Sequence, residues 1–352
     1  MISSNILTLG LGLVLFSFLI TSLLIVPFIN LLYRLRFTRR IEGSKKAKKE
    51  SLFDKMHDIK AGTPVGGGIL LIAIVAILFA LIFPIASHMG VFIRSAYSFK
   101  AELFVIFFTF LSFGLIGFLD DYTKLFGKPK RGNLGMWVGM SRKAKFVTQW
   151  GFGLFIGWMI CCKLGVHIIY IPLIEANLNL GYFYIPFAAF LIVYFSNAFN
   201  ITDGLDGLSI GLLAICLVAF AVIAVGSLDT PLTVFIALWL GSLIAFLYFN
   251  VWPSRIFLGD AGALSFGAML AVIGLLTGSV IALFVIGGLF VIEITSSLIQ
   301  ILGWRYLKRP IFPIAPIHHT FLAMGWEEPK IVSRAWLAGI MLAIFGVWLA
   351  TI

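Results

Sequence analysis

The sequence predicts an all-α, polytopic integral membrane protein with about ten transmembrane helices, from its composition, its apolar runs and the placement of its charges. Of its 352 residues, 61% are hydrophobic and 12% are charged, and the mean hydropathy is +1.07. Soluble domains have about a quarter of their residues charged. The composition therefore excludes an ordinary soluble domain and indicates that most of the chain lies in lipid.

The apolar runs have the length that a helix needs to cross the hydrocarbon core, about 20 residues. Ten such runs recur along the chain, at 6–33, 67–87, 103–119, 146–162, 184–198, 209–227, 231–249, 261–277, 281–302 and 336–352. Glu293 is the only charged residue inside them. No Lys or Arg precedes the first run, which is longer than the apolar core of a signal peptide, so we expect the chain to retain it.

The basic residues fall on one side of this arrangement. The loops 34–66, 120–145, 199–208, 250–260 and 303–335 together hold 23 of the 26 Lys and Arg. The positive-inside rule places these five loops in the cytoplasm and both termini outside, around a single domain over residues 1–352. The net charge of +11 is then explained by topology and anionic membrane lipid, and no nucleic-acid partner is predicted.

Five aspartates stand at the ends of apolar runs, all on the predicted cytoplasmic side: Asp120, Asp121, Asp203, Asp206 and Asp260. Ionisable groups at membrane depth are costly and usually functional, so the clustering predicts one site. Two alternatives stay open: the adjacent pair is a solvated helix end, or Asp260 is a plain N-cap. Against both, neighbouring carboxylates suit a divalent cation that offsets their repulsion.

The stretch "NAFNITDGLDGLSIG" carries a polar residue at every third position: Asn197, Asn200, Asp203 and Asp206. This spacing predicts a polar stripe on one face of a helix, because every third residue returns to nearly the same face. Gly204 and Gly207 leave the backbone open to a ligand beside it. The stretch is therefore interpreted as a binding surface.

Two histidines follow three prolines in the last predicted cytoplasmic loop. His318 and His319 are either structural residues or donors of hydrogen bonds to phosphate oxygens. Zinc is not expected, since no Cys or third His is nearby. Most lysines in the basic loops are expected to be topological charges, although Lys60 and Lys145 stand close enough to the membrane to reach an anionic substrate.

Four motifs in order resemble the polyprenyl-phosphate N-acetylhexosamine-1-phosphate transferase superfamily: "GFLDDYTK", "NAFNITDGLDGL", "FLGDAGAL" and "APIHHTF…GWEEPKI". The pattern HxxKxGTP at 57–64 and the tail "GWEEPKIVSRAW" are similar to the branch that acts on UDP-N-acetylmuramoyl (UDP-MurNAc) pentapeptide. The resemblance implies that undecaprenyl phosphate attacks the donor's β-phosphate, which gives lipid I and UMP. It also implies Mg²⁺, a homodimer, and a bacterial inner or plasma membrane with the site on the cytoplasmic face.

The resemblance also implies roles for individual residues. The catalytic residues are Asp120, Asp121, Asp203, Asp260 and His318. Asp260 and Asp203 are the metal ligands, and Asp120 deprotonates or orients the lipid phosphate. The substrate-binding residues are Lys60, Lys124, Lys145, Asn200, Gly204, Leu205, Asp206, Asn250, Phe257 and His319. Among these, Phe257 is expected to stack on uracil.

The chain departs from the branch pattern at four positions. Thr320 replaces a third histidine and Leu322 replaces a glutamate, while Val65 and Gly66 stand where the family tends to have Thr and Met. A GlcNAc-1-phosphate transferase of the same superfamily is therefore kept as an alternative. A secondary transporter is a more distant alternative. A transporter would place its acidic residues near the bilayer midplane and often show inverted repeats, whereas the acidic residues of this chain lie together on one face.

Overall fold

A computed structural model describes residues 2–39, 60–88, 93–126 and 140–352. In these ranges eight helices are long and apolar enough to cross a membrane, or nine if one bent pair counts as a single span. The prediction of an all-α polytopic membrane protein is confirmed, while the number of ten spans is not. His57 of the HxxKxGTP pattern and most of the basic stretch after α3 lie outside the described residues.

The helices follow one another along the chain as α1 (Ile2–Arg34), α2 (Gly67–His88), α3 (Phe99–Phe126), α4 (Arg142–Trp158), α5 (Tyr184–Thr202), α6 (Leu208–Gly226), α7 (Thr230–Asn250), α8 (Gly259–Leu276), α9 (Val280–Ile286), α10 (Gly288–Leu302), α11 (Ile317–Ala323) and α12 (Glu328–Thr351). A short antiparallel hairpin, β1 (Ile168–Ile171) and β2 (Ala176–Asn179), joins α4 to α5. The hairpin was not predicted from the sequence.

Two of the predicted runs differ from single spanning helices. The run 146–162 corresponds to α4, which has 17 residues and continues into a π-helical turn, Met159–Lys163. The prediction of one helix over 281–302 is wrong, because α9 and α10 meet at an angle of 76°. The adjacent Gly287 and Gly288 weaken the helix there, and a Cβ at Gly287 would lie 2.7 Å from the Phe195 ring.

The core is built around α8, whose small residues let its neighbours approach closely. In α8, 89% of the spanning residues are buried. A Cβ at Gly117 of α3 would lie 2.0 Å from the backbone oxygen of Asp260, so the two helices touch only because position 117 is glycine. This contact fixes the end of α3 against the start of α8, where three of the predicted site aspartates stand.

The bundle has two chemically distinct ends. Helices α3, α5 and α7 finish, and α6, α8 and α12 begin, at the cleft end, which is marked by Asp121, Asp203 and Asp260. The far end is marked by Asp229 and Tyr97. Helix α1 starts and α12 finishes at the far end, so both chain termini lie at the same end of the bundle, opposite the cleft.

Candidate active site

A cleft of about 280 Å³ opens among the helix ends at the cleft end of the bundle. Ten of the fifteen predicted site residues line it: Asp121, Lys124, Asn200, Asp203, Gly204, Leu205, Asp206, Asn250, Phe257 and Asp260. The other five stand directly behind these and contact them or one another. The structure therefore brings residues that are up to 259 positions apart in sequence, Lys60 and His319, close together.

Asp121 caps the first turn of α8 from a different helix. Its Oδ1 accepts the backbone N–H of Asp260 at 3.1 Å and its Oδ2 accepts that of Ala261 at 3.0 Å. A carboxylate suits these free N–H groups and the positive end of the helix dipole. The interpretation of Asp260 as the N-cap is therefore wrong. Leu258 occupies that position and the side chain of Asp121 supplies the cap.

Two lysines join two carboxylates beside that cap. Oδ2 of Asp260 lies 2.7 Å from Nζ of Lys124 and 2.9 Å from Nζ of Lys145. Oδ2 of Asp120 lies 3.0 and 2.9 Å from the same two nitrogens, and its Oδ1 accepts the backbone N–H of Met140 at 2.9 Å. Lys124 and Asp260 line the cleft, so the cluster brings positive charge to its wall.

The predicted polar stripe does not continue along one helix. Helix α5 ends at Thr202, and the chain then turns into α6 through Gly207, whose φ is +78°. Asn197 instead donates to Gln149 Oε1 at 3.0 Å, between α5 and α4, and does not line the cleft. Gly207, one of the two glycines that were expected to admit a ligand, is the N-cap of α6 in the left-handed conformation. The turn nevertheless directs Asn200 and the two aspartates after it into the same cleft.

Asp203 lies in the turn after α5, near two other carboxylates. Its Oδ1 accepts the hydroxyl of Ser209 at 2.5 Å. Burial raises the pKa of Asp203 to about 6; the charges of Asp260 and Asp206 act in the same direction, while the Ser209 hydrogen bond and Lys60 oppose the rise. A nearby cation would favour the ionised carboxylate, so the position suits a metal ion.

Lys60 forms a buried ion group with two carboxylates. Its Nζ lies 2.7 Å from Oδ1 of Asp206 and 2.6 Å from Oε1 of Glu328. The same oxygen of Glu328 accepts the backbone N–H of Asp206 at 2.6 Å, and the N–H of Ser254 donates to the other Asp206 oxygen at 2.9 Å. Glu328 was not among the predicted site residues, although it stands in the "GWEEPKI" motif.

An aromatic ring covers the side of the cleft next to this ion group. The Phe257 ring has Arg39 Cζ at 5.5 Å and Lys60 Nζ at 6.0 Å from its centroid. The backbone carbonyl of Phe257 accepts hydrogen bonds from the N–H groups of Gly66 and Gly67, at 3.1 and 2.9 Å. Gly66 has φ +115°, which explains glycine at this departure from the family pattern. Arg39 also lines the cleft, and nothing in its sequence context distinguished it from the other basic residues of its loop.

Asn250 uses its side chain to hold the cleft together. Its Oδ1 accepts the N–H of Gly207 at 3.2 Å and its Nδ2 donates to the carbonyl of Ile256 at 3.0 Å. Both groups of this predicted substrate-binding amide therefore contact the protein, and the residue is buried.

His318 stands behind the cleft wall. Its Nδ1 lies 2.9 Å from Oε2 of Glu293, and a Cβ at Gly204 would lie 2.5 Å from its Nε2. The His319 ring is half-buried, with its centroid 4.2 Å from that of His318. Glu293 was noted from the sequence only as a charge inside an apolar run. A carboxylate at membrane depth was the signal that pointed to it.

Thr320 and Leu322, the two positions after the histidines that differ from the family pattern, are both buried inside the protein. Thr320 is buried and its hydroxyl donates to the carbonyl of Ile314. Leu322 is buried in the hydrophobic core. Neither residue lines the cleft, so neither changes its walls directly.

The residues of the cleft fit a magnesium ion that is shared with a phosphate ligand. Within the described ranges, no three His, Cys, Asp or Glu side chains converge as a ready-made metal cage. Mg²⁺ is usually held by one or two carboxylates together with substrate phosphates and water. Asp260 and Asp203 supply such a pair in the cleft.

Comparison with known proteins places these features in a family context. The model of glycosyl transferase family 4 matches residues 103–278. A phospho-N-acetylmuramoyl-pentapeptide-transferase of Oceanobacillus iheyensis is 34% identical over 336 residues, which cover 95% of each chain. The protein of that name from Bacillus velezensis is 33% identical over 89% of this chain and 91% of its own, and that from Rickettsia canadensis is 37% identical over 82% and 80%.

Proposed function

The chain belongs to glycosyl transferase family 4 and to the family of phospho-N-acetylmuramoyl-pentapeptide transferases, and from this premise we propose that it transfers phospho-MurNAc-pentapeptide from UDP-MurNAc-pentapeptide to undecaprenyl phosphate. The products are lipid I and UMP. The observation that carries the proposal is the joining of Asp260 and Asp120 by two lysines beside the cleft, at the cleft end of the bundle. A reaction between two phosphate anions needs such charges to hold and neutralise them.

The lysines and carboxylates of the cluster, together with Asp203, would act on the phosphates of the two substrates. When bound, Mg²⁺ would offset the negative charge of the diphosphate and the charge that develops on it during transfer. Asp260 and Asp203 would hold it. Lys124 and Lys145, which contact carboxylates at 2.7 to 3.0 Å, would turn toward the phosphates of donor and acceptor. Asp120 would orient the acceptor phosphate or accept its proton.

The rigid parts of the cleft would orient both substrates. Asp121 holds the start of α8, and therefore Asp260, through two hydrogen bonds to backbone N–H groups. The uracil ring would stack on Phe257, beside the ion group of Lys60, Asp206 and Glu328. Asn200, Gly204 and Leu205, which line the cleft, would lie along the diphosphate, and His318 and His319 would serve the donor's phosphate or sugar side.

The same proposal includes the membrane topology. The cleft faces the cytoplasm, the chain crosses the membrane ten times as one domain over 1–352, and both termini lie outside. The support is that 23 of the 26 Lys and Arg fall in the five loops that the sequence predicts to be cytoplasmic. The homodimer stays a prediction that the mass of the protein in lipid nanodiscs would test.

A cysteine-labelling experiment tests the orientation. Gly127, the reporter position suggested by the sequence, lies outside the described residues, so exposed Lys308 at the cleft end and exposed Glu175 at the far end are better positions. Each is changed to cysteine in a Cys162→Ser background, because Cys162 is the exposed native thiol in the described part of the chain. An impermeant maleimide should label intact cells at position 175 only. Labelling at position 308 alone would show that the cleft faces the outside of the cell and would contradict the proposed topology.

The reaction is tested by release of UMP from purified protein in nanodiscs. Undecaprenyl phosphate, Mg²⁺ and UDP-MurNAc-pentapeptide should give UMP and a lipid-linked product, and EDTA should abolish both. A parallel reaction with UDP-GlcNAc tests the alternative donor, which the buried positions of Thr320 and Leu322 do not favour. Absence of UMP with either donor would reject the transferase proposal and leave the transporter as the remaining candidate.

A further inference from the structure

Glu293 lies in a part of the molecule where a carboxylate is costly. It stands on α10, in a predicted transmembrane run, and is 6% exposed. The hydroxyls of Ser296 and Ser297 donate to its backbone carbonyl, at 2.8 and 3.2 Å, and not to its carboxylate. The carboxylate contacts Nδ1 of His318 at 2.9 Å. Buried charges are retained where a partner or a function requires them, so this contact needs an explanation.

The second nitrogen of His318 points to that explanation. The residue is 1% exposed, and within the described ranges its Nε2 has no hydrogen-bond partner. Buried polar atoms nearly always have one, and an exception calls for a ligand or a role in the reaction. Nε2 faces Gly204, which lines the cleft. A side chain at position 204 would close this approach, because its Cβ would lie 2.5 Å from Nε2.

Together these contacts define how the imidazole is held. The hydrogen bond made by one ring nitrogen fixes the orientation of the ring and the role of the other nitrogen. With Nδ1–H directed to Glu293, a proton on Nε2 gives the ring a second donor that faces the cleft. The carboxylate then offsets the positive charge of the imidazolium. Such a donor suits a phosphate oxygen, which binds charged donors more strongly than neutral ones.

We propose that Glu293 is a positioning residue of the transfer reaction: it holds His318 so that Nε2 reaches a phosphate oxygen over Gly204. The proposal rests on the phosphotransferase function proposed above, and it assigns a role to an acid that lies outside the cleft. Glu293 acts through His318 and does not itself contact the substrate.

The first test compares matched variants of two buried glutamates. Glu293→Gln keeps the shape but removes the charge, and we expect kcat to fall about 10- to 100-fold, with the donor KM changed less than about threefold. Glu102→Gln makes the same change in the fully buried glutamate at the far end and should leave kcat unchanged. Glu293→Asp, which retains the charge, should recover part of the loss. A loss in Glu102→Gln as large as in Glu293→Gln would overturn the proposal.

A double-mutant cycle separates positioning from general destabilisation. If Glu293 acts through His318, Glu293→Gln should cost nothing further in a His318→Gln background, because the group on which it acts is gone. Losses that multiply would overturn the proposal. If Glu293→Gln does not insert into membranes, the same cycle with Glu293→Asp gives the answer.

A spectroscopic measurement makes the inference independent of activity. The chain has five histidines, so ¹⁵N-histidine NMR in nanodiscs gives few signals, and His318→Gln identifies the relevant pair. The Nδ1 signal of His318 should move in Glu293→Gln and stay in place in Glu102→Gln. An unchanged signal in Glu293→Gln would refute the contact even in an active enzyme. A moved signal in a protein that releases no UMP would instead reject the proposed function.

Discussion

The two ends of the bundle both bury carboxylates, but they give them different partners. At the cleft end, Asp260 and Asp120 contact lysine ammonium groups beside an open cleft. At the far end, Asp229 accepts the N–H of Leu232 at 3.0 Å and that of Ala96 at 3.4 Å, and Glu102 accepts the hydroxyl of Ser95 at 2.5 Å. Burial raises the pKa of Asp229, although the hydrogen bonds that it accepts from the two N–H groups lower it.

The far end is a structural clamp. Asp229 caps α7, Thr230 exchanges hydrogen bonds with Arg94 at 2.8 and 3.1 Å, and the Tyr97 hydroxyl donates to the carbonyl of Leu276 at 2.7 Å. These bonds tie the segment before α3 to α7 and α8. A buried acid is therefore not a functional site by itself. The cleft end differs because its acids share lysine partners beside an open cleft, where the phosphates of the proposed substrates would reach the same ammonium groups.

The largest expected effect is at Asp260. Asp260→Asn keeps the side-chain shape but loses the charge that holds the cation, so Mg²⁺-dependent turnover should fall by more than about a hundredfold. The protein should still insert and purify normally. Asp229→Asn is the matched control at the far end and should retain turnover. Near-wild-type activity of Asp260→Asn at saturating Mg²⁺ would show that its carboxylate is structural, as at Asp229.

A smaller effect is expected at Glu328, which holds both Lys60 and the N–H of Asp206. Glu328→Gln should raise the donor KM about tenfold, because it loosens the nucleoside side of the cleft through charge-assisted hydrogen bonds. We expect kcat to change less than about threefold. Glu327→Gln is the control, because it makes the same change at the adjacent glutamate, which is exposed. Equal KM values for the two variants would remove Glu328 from the site.

At the far end the expected effect is on stability. Asp229→Ala removes the cap of α7 and should lower the free energy of unfolding by about 1 kcal/mol. Thermal unfolding in detergent should register the change, while kcat/KM stays within about twofold of wild type. A large loss of turnover at unchanged melting temperature would contradict the division between the two ends.

The smallest effect is expected at Thr320, whose hydroxyl is used inside its own loop. Thr320→Ala should change kcat/KM by less than about threefold, and Thr320→His should leave the choice of donor unchanged. His318→Ala, two residues earlier, should lower turnover about tenfold or more, because the Nε2 donor behind Gly204 is lost. A change of donor preference in Thr320→His would show that this position does contact the substrate.

The sequence predicted which residues meet at the cleft better than it predicted their local structure. Asp121, Asp203 and Asp260 could be grouped because acidic residues at membrane depth are rare. The order of the four motifs indicated the family. The break at Gly287 was missed, because the apolar composition continues through it. The polar stripe from Asn197 to Asp206 was wrongly placed on one helix, although a loop was predicted at 199–208, because its three-residue spacing continues past the end of α5 at Thr202. Such breaks depend on contacts across the bundle, which one helix's periodicity does not contain.

Partners of the site residues were harder to predict than the residues themselves. The role of Asp121 as the cap of α8 depends on the close approach at Gly117, 143 residues from Asp260 in the chain. Glu328 and Arg39 carry no local signal that separates them from neighbouring charges. The clamp at Asp229 was not predicted either, because a single aspartate before Thr-Pro is an ordinary helix start.

The most direct test of the central claim is the ratio of kcat/KM for UDP-MurNAc-pentapeptide to that for UDP-GlcNAc, measured on the wild-type protein with undecaprenyl phosphate and Mg²⁺. The proposed function predicts a ratio of at least about a hundred, since a donor that lacks the contacts for which the site is built leaves buried polar groups unpaired. A wild type that prefers UDP-GlcNAc would contradict it.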